Sequence, residues 1–119
     1  MSAQSRVMLT GHSHIDVAWL WRVQESIRKS ARTFTNVTSL MDIYPEMTFG
    51  QSEAVLYDMV KRHYPEIYEK LKEKVAAGQW DICGNVWVEA DTNISSGESL
   101  IRQVLYGTEF FKREFGKVS

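Results

Sequence analysis

The sequence is poor in cysteine and proline, with only Cys83, Pro45 and Pro65 among 119 residues. A single thiol excludes an internal disulfide framework, and a reducing, cytoplasmic setting is the expectation. So few prolines leave long segments free to be helical. No run of about 18 apolar residues and no signal-peptide pattern is present, so neither a membrane span nor a membrane partner is expected. Charge of one sign is lacking too: 14 Lys and Arg stand against 15 Asp and Glu, a net charge of −1. A nucleic-acid binder presents a basic face, so no nucleic-acid partner is expected and a small or neutral ligand is favoured. Residues 1–6 are polar and small, reading as a flexible start or an appended remnant, which leaves 7–119 as the ordered part. That length can bury a core but falls short of the ~250 residues of a typical complete α/β barrel.

What is there alternates. Val7-Met8-Leu9-Thr10 reads as a buried strand. Ile27, Ala31, Phe34, Val37 and Met41 recur at spacings of four, three, three and four, which predicts a helix from about Trp21 to Ile43, ending before Pro45. Met47-Thr48-Phe49 reads as a second strand and Gly50 to Glu53 as a turn, with Ser52 the N-cap of a helix carrying Val55, Leu56, Met59 and Val60. Pro65 suits the first turn of a separate helix carrying Ile67, Tyr68, Leu71 and Val75 and stopped by Gly78. Trp80 to Val88 reads as a third strand weakened at Gly84. Ser95 with Glu98 fits a capping box for a last helix with the stripe Leu100, Ile101, Val104, Leu105, Phe111 and Phe115, closed by Gly116. Such alternation implies right-handed crossovers and a parallel sheet. Three parallel strands leave two unpaired edges, and the last crossover helix leads into nothing. The expected fold class is therefore α/β: a partial barrel of three parallel strands, excised from a larger one, that self-associates through its exposed sheet edge.

Chemistry concentrates in Gly11-His12-Ser13-His14-Ile15-Asp16-Val17-Ala18-Trp19-Leu20-Trp21, just past the first strand, where α/β folds place their sites. Residues two apart on an extended chain share a side, so His12, His14 and Asp16 are candidates to converge on zinc or a neighbouring first-row metal. The bland alternative is a pair of histidines satisfied by backbone hydrogen bonds. Trp19 is either a core aromatic or a platform that stacks on the apolar face of a sugar. Glu89 and Asp91 also share a side, but paired-carboxylate chemistry needs a separation that sequence does not give. His63 reads as a surface helix residue, Cys83 as a small core residue, and Arg28, Lys29 and Arg32 as a solvated helix face.

The same stretch, with Trp87-Val88-Glu89-Ala90-Asp91-Thr92-Asn93-Ile94-Ser95-Ser96-Gly97-Glu98-Ser99-Leu100-Ile101-Arg102-Gln103 and Phe110-Phe111-Lys112-Arg113-Glu114-Phe115-Gly116, resembles the start of the catalytic domain of glycoside hydrolase family 38 α-mannosidases. The likeness is strongest to the cytosolic and bacterial branch. It implies a seven-stranded α/β barrel with a divalent metal at its strand ends, usually zinc and in some members cobalt. By motif position His14 and Asp16 become metal ligands, His12 a neighbouring pocket residue, and Trp19 the ring that stacks on mannose. Glu89 and Asp91 match a family segment and stay as pocket candidates. The substrate implied is an α-mannoside oligosaccharide, cleaved with retention by one aspartate as nucleophile and a second as acid and then base. Both aspartates, the nucleophile being also a metal ligand, fall beyond Ser119 by this likeness, as does the remaining histidine ligand. No catalytic residue is therefore expected in the chain, which alone should be inactive. The competing readings from the residues are a metal-dependent amidohydrolase or carbohydrate deacetylase, and a non-catalytic module that binds sugar or protein.

Overall fold

The computed structural model describes residue 5 and residues 7–119, so the reading of residues 1–6 as a flexible start lies largely outside the described residues. The elements run β1 (Gly11–His12), α1 (Val23–Ile43), β2 (Phe49–Gln51), α2 (Ala54–His63), α3 (Pro65–Ala76), β3 (Trp80–Ile82) and α4 (Gly97–Phe115). The three strands form one parallel sheet in the order β1-β2-β3, with Gly11 opposite Phe49 and Phe49 opposite Trp80. Parallel pairing with helical crossovers is what the alternation predicts.

Helix α1 owes its register to one buried face: Ser26, Ser30, Phe34, Val37 and Met41 all point inward. The two serines cause no orphaned hydroxyl, because Ser30 Oγ donates to the Ser26 carbonyl at 2.7 Å and Ser26 to the loop before the helix. Phe34 stacks edge-on against Trp80 at 4.9 Å and Tyr57 at 5.3 Å, and Phe49 closes on Trp80 at 4.9 Å. Polar atoms inside this aromatic cluster form a chain. Trp80 Nε1 donates to the Tyr57 hydroxyl at 2.9 Å, which donates to the Gln51 carbonyl at 2.7 Å. Burying such rings without those bonds would leave unpaired donors and cost free energy.

The helix around Pro65 starts at that proline, and Gly78 takes the left-handed conformation, φ 77°, that ends it. Other sequence expectations shift. Val7 to Thr10 are not a strand: Val7, Met8 and Leu9 are 84, 91 and 89% exposed, and pairing begins only at Gly11. The reason is the partner, since β2 starts at Phe49: the Thr48 carbonyl takes the Gly11 N–H at 3.3 Å, and Pro45-Glu46 ahead of it form a turn. Pairing moves the second strand from 47–49 to 49–51, so Gly50 and Gln51 are strand rather than turn. The third strand stops at Ile82 instead of Val88, because Gly84 and Asn85 adopt φ of 84° and 46° and turn the chain out of the sheet.

Helix α4 starts from Ser96 rather than Ser95, with Ser96 Oγ accepting the Ser99 N–H at 3.2 Å. Glu98 pairs with Arg102 instead of closing a capping box. Gly107 is the point of closest approach: a Cβ there would come within 2.4 Å of the Asn85 carbonyl oxygen. Phe110 and Phe111 are buried beyond it, but Ile101, Val104 and Leu105 of the expected apolar stripe remain exposed.

Candidate functional site

Three loops meet at the carboxyl ends of the strands. The first leaves β1 and carries His14, Asp16, Trp19 and Trp21. It is pinned at several points: His12 Nδ1 donates to the Gly50 carbonyl at 2.9 Å, and the buried Gln51 amide donates to the Ser13 carbonyl at 2.9 Å. Farther along, Trp21 Nε1 reaches both the Asp16 carbonyl at 3.1 Å and Ser26 Oγ at 2.9 Å, and Ser26 donates to the Val17 carbonyl. The loop backbone is thereby tied to β2 on one side and to the first turn of α1 on the other.

His14 sits between two carboxylates. Its Nδ1 lies 2.7 Å from Glu89 Oε2 and its Nε2 lies 3.0 Å from Asp16 Oδ1. The hydrogen bond to Asp16, followed by that to Glu89, raises the imidazole pKa above its ordinary value against a desolvation that lowers it. Glu89 arrives from the loop after β3, 75 residues away in sequence, and is itself held. Ser52 Oγ donates to Glu89 Oε1, and the Glu89 backbone N–H donates to Glu53 Oε1 at 3.1 Å.

Glu53 is the unusual residue here. It precedes α2 in the left-handed conformation, φ 65°, and is 1% exposed with Oε2 unpartnered. A non-glycine residue held there carries strain, which collects at functional sites. Burial pushes its carboxyl pKa up to about 7, helped by the Glu89 and Asp16 charges and opposed by the Glu89 N–H and by His14. Neither Glu53 nor Ser52 caps α2 with its side chain, contrary to the sequence reading of Ser52. The loop after β3 does it for them: the Val86 and Trp87 carbonyls accept the N–H groups of Ala54 and Val55 at 2.9 and 3.0 Å. Both side chains are thus free to hold Glu89.

Of the other residues singled out from sequence, His12 keeps its ring on the Gly50 carbonyl, apart from the His14–Asp16 pair. Asp91 bonds its own turn, accepting the Asn93 N–H at 2.9 Å. Trp19 is 66% exposed and meets Trp21 edge-on at 5.5 Å. Cys83 has its thiol pKa raised by burial and by Asp81 and Glu89, the opposite of an activated nucleophile. Lys29 is not merely solvated: its ammonium lies 4.1 Å from the Trp21 ring centre, and with Arg32 it lines a cleft of about 150 Å³ shared by His14, Asp16 and Trp21. Ser52, Glu53 and Gln51 were missed as site residues. The signal available was three consecutive polar side chains at a strand end.

The donor set fits a divalent cation in part. A histidine nitrogen and a carboxylate oxygen suit zinc, and two donors about 2 Å from one tetrahedral ion stand roughly 3.3 Å apart, close to the separation of His14 Nε2 and Asp16 Oδ1. Glu89 on the far nitrogen is the outer carboxylate that metal-binding histidines usually have. Among the described residues no group of three or more His, Cys, Asp or Glu is gathered for a metal, and His14 with Asp16 stands as a pair.

The model of the glycosyl hydrolases family 38 N-terminal domain matches residues 4–119. Alpha-mannosidase G of Dictyostelium discoideum is 50% identical over 115 residues, covering 97% of this chain and 11% of that protein. Alpha-mannosidase 2C1 of Homo sapiens is 43% identical over 116 residues, covering 98% of this chain and 11% of that protein. The crystal structure of an alpha-mannosidase from Enterococcus faecalis V583 superimposes with a TM-score of 0.78 at 27% identity, over 88% of this chain and 12% of that one. The chain thus spans about a tenth of the length of these relatives. With its strand-end loops, its three parallel strands and nearly its whole length matched, the chain belongs to glycosyl hydrolase family 38, within the N-terminal domain.

Proposed function

We propose that this chain is the opening part of the catalytic barrel of a metal-dependent retaining α-mannosidase, and that it supplies half of the metal site and one wall of the sugar site. The observation that carries the reading is the His14–Asp16 pair, 3.0 Å apart on the loop that also carries the exposed Trp19, in a chain of this family. Family membership also sets this reading above the amidohydrolase, the deacetylase and the non-catalytic module. A cytoplasmic setting belongs to the same reading. Among the described residues no helix is long and apolar enough to cross a membrane.

His14 and Asp16 would hold the cation, zinc before cobalt. When bound, it grips the sugar's ring hydroxyls and orients the ring for distortion toward an oxocarbenium-like transition state. Trp19 offers its open ring to the apolar face of a mannose unit. Lys29 and Arg32, lining the same cleft, keep its far wall cationic and donor-rich. Nucleophile and acid/base belong to the rest of the barrel, so the chain alone is inactive.

The test is nitrophenol release from an aryl α-D-mannoside by the full-length protein that carries this segment, and by the chain alone, with and without chelator. Activity only in the longer protein, abolished by chelation, supports the reading. Asp16→Ala in that protein should lower activity by on the order of 100-fold or more, since loss of an outer partner alone costs 10–100-fold. Retention of most activity would remove Asp16 from the ligand set.

A further inference from the structure

We propose that Glu89 is the positioning residue for His14, and that Ser52 and the strained, buried Glu53 exist to hold Glu89 in place. The inference rests on the metal reading above for its consequence, but its geometry stands on this chain's own residues.

An imidazole flanked by two carboxylates has to settle which nitrogen carries the proton when neutral. Glu89 has the stronger claim. Its oxygen is nearer, 2.7 against 3.0 Å, and it is fixed by Ser52 Oγ and, through its backbone N–H, by Glu53. Among the described residues Asp16 has no other side-chain hydrogen bond to set its carboxylate. Nδ1 therefore carries the proton and the Nε2 lone pair faces Asp16. A lone pair facing a carboxylate oxygen at 3.0 Å is unfavourable, and either a second ring proton or a cation held between the two would relieve it, so the neutral ring leaves a place that a cation can take.

Removing Glu89 reverses this. Asp16 becomes the only carboxylate on the ring and takes the proton on Nε2, the nitrogen that the cation needs. The loops after all three strands are thereby joined through a single side chain: His14 follows β1, Ser52 and Glu53 follow β2, and Glu89 follows β3. Left-handed strain at Glu53 persists because its carboxylate anchors the Glu89 backbone from below, while α2 takes its caps from the Val86 and Trp87 carbonyls.

Two measurements on the 119-residue chain decide the matter. The first, without metal and at a pH where imidazole is neutral, reads the His14 ring nitrogens by ¹⁵N NMR. Proton on Nδ1 is expected in the wild type, proton on Nε2 in Glu89→Ala, and a mixture in Ser52→Ala, which deletes one oxygen and leaves the fold intact. Wild type with its proton on Nε2, or retention of Nδ1–H in both variants, overturns the proposal. The second follows the same resonances during titration with Zn²⁺. Glu89→Ala should bind 10–100-fold more weakly than wild type. Equal affinities overturn the positioning role; a wild-type chain that ignores Zn²⁺ is what two ligands of four would give, so the tautomer result then decides Glu89 and chelation of the longer protein judges the metal reading.

Discussion

Helices α1 and α4 both carry an apolar stripe at helical spacing, yet α1 buries its stripe and α4 does not. On α1, Phe34 and Met41 are 0 and 1% exposed, and Phe34 packs against Trp80 of β3 and Tyr57 of α2. On α4, Ile101 is 65% exposed, and burial is confined to Gly107, Phe110 and Phe111, where the helix meets the turn after β3. Leu100, Ile101, Val104 and Leu105 form an open apolar trough on its other side. Periodicity states which side of a helix is apolar; whether anything covers that side is a tertiary matter.

The contrast predicts a graded series of stability changes in this chain. Phe34→Ala, which hollows the aromatic cluster, should cost about 3–5 kcal/mol in denaturant unfolding. A loss under about 1 kcal/mol would mean the cluster is far looser than its 4.9 Å ring spacing indicates.

Glu53→Gln probes the anchor of the loop that leads to α4. The Glu53 carboxyl titrates at about 7 when folded and near 4.5 otherwise. Between those values the unfolded chain releases a proton that the folded chain keeps, so stability falls as pH rises, by about 1.4 kcal/mol per unit, and levels off above 7. Wild type and Glu53→Gln should differ least near pH 4. With chelator present, the variant should gain on wild type by roughly 3 kcal/mol toward pH 8. A difference independent of pH would contradict the burial of this carboxyl.

Gly107→Ala should cost about 1–3 kcal/mol, because backbone of the turn after β3 occupies the space a methyl needs. Ile101→Lys is expected to change stability by less than about 0.5 kcal/mol. A large loss there would show that the trough is covered in solution, and sedimentation of the unaltered chain would then show self-association that Ile101→Lys weakens.

Much was legible from particular residues. The run from Ile27 to Met41 announced α1, Pro65 and Gly78 bracketed α3, and the His14–Asp16 spacing pointed at the strand-end pair that the structure brings to 3.0 Å. The partners of that pair were harder to see. Glu89 was visible as a carboxylate after an apolar run, but its contact spans 75 residues and depends on Gly84 and Asn85 turning the chain out of the sheet. Ser52 resembled a cap because a hydroxyl directly ahead of a helix commonly is one, but α2 starts at Ala54 and the N-cap position falls on Glu53. Its real partner belongs to another loop.

By itself, the sequence determined the kinds and order of elements, the α/β class, and the stretch where imidazole, carboxylate and indole side chains gather, because these follow from local spacing and side-chain chemistry. The tertiary structure alone decided where strands begin and end, which apolar face is covered, and which carboxylate holds which nitrogen of His14. Strand limits need a partner strand, burial needs a neighbour, and a hydrogen bond across 75 residues needs the fold that brings its ends together.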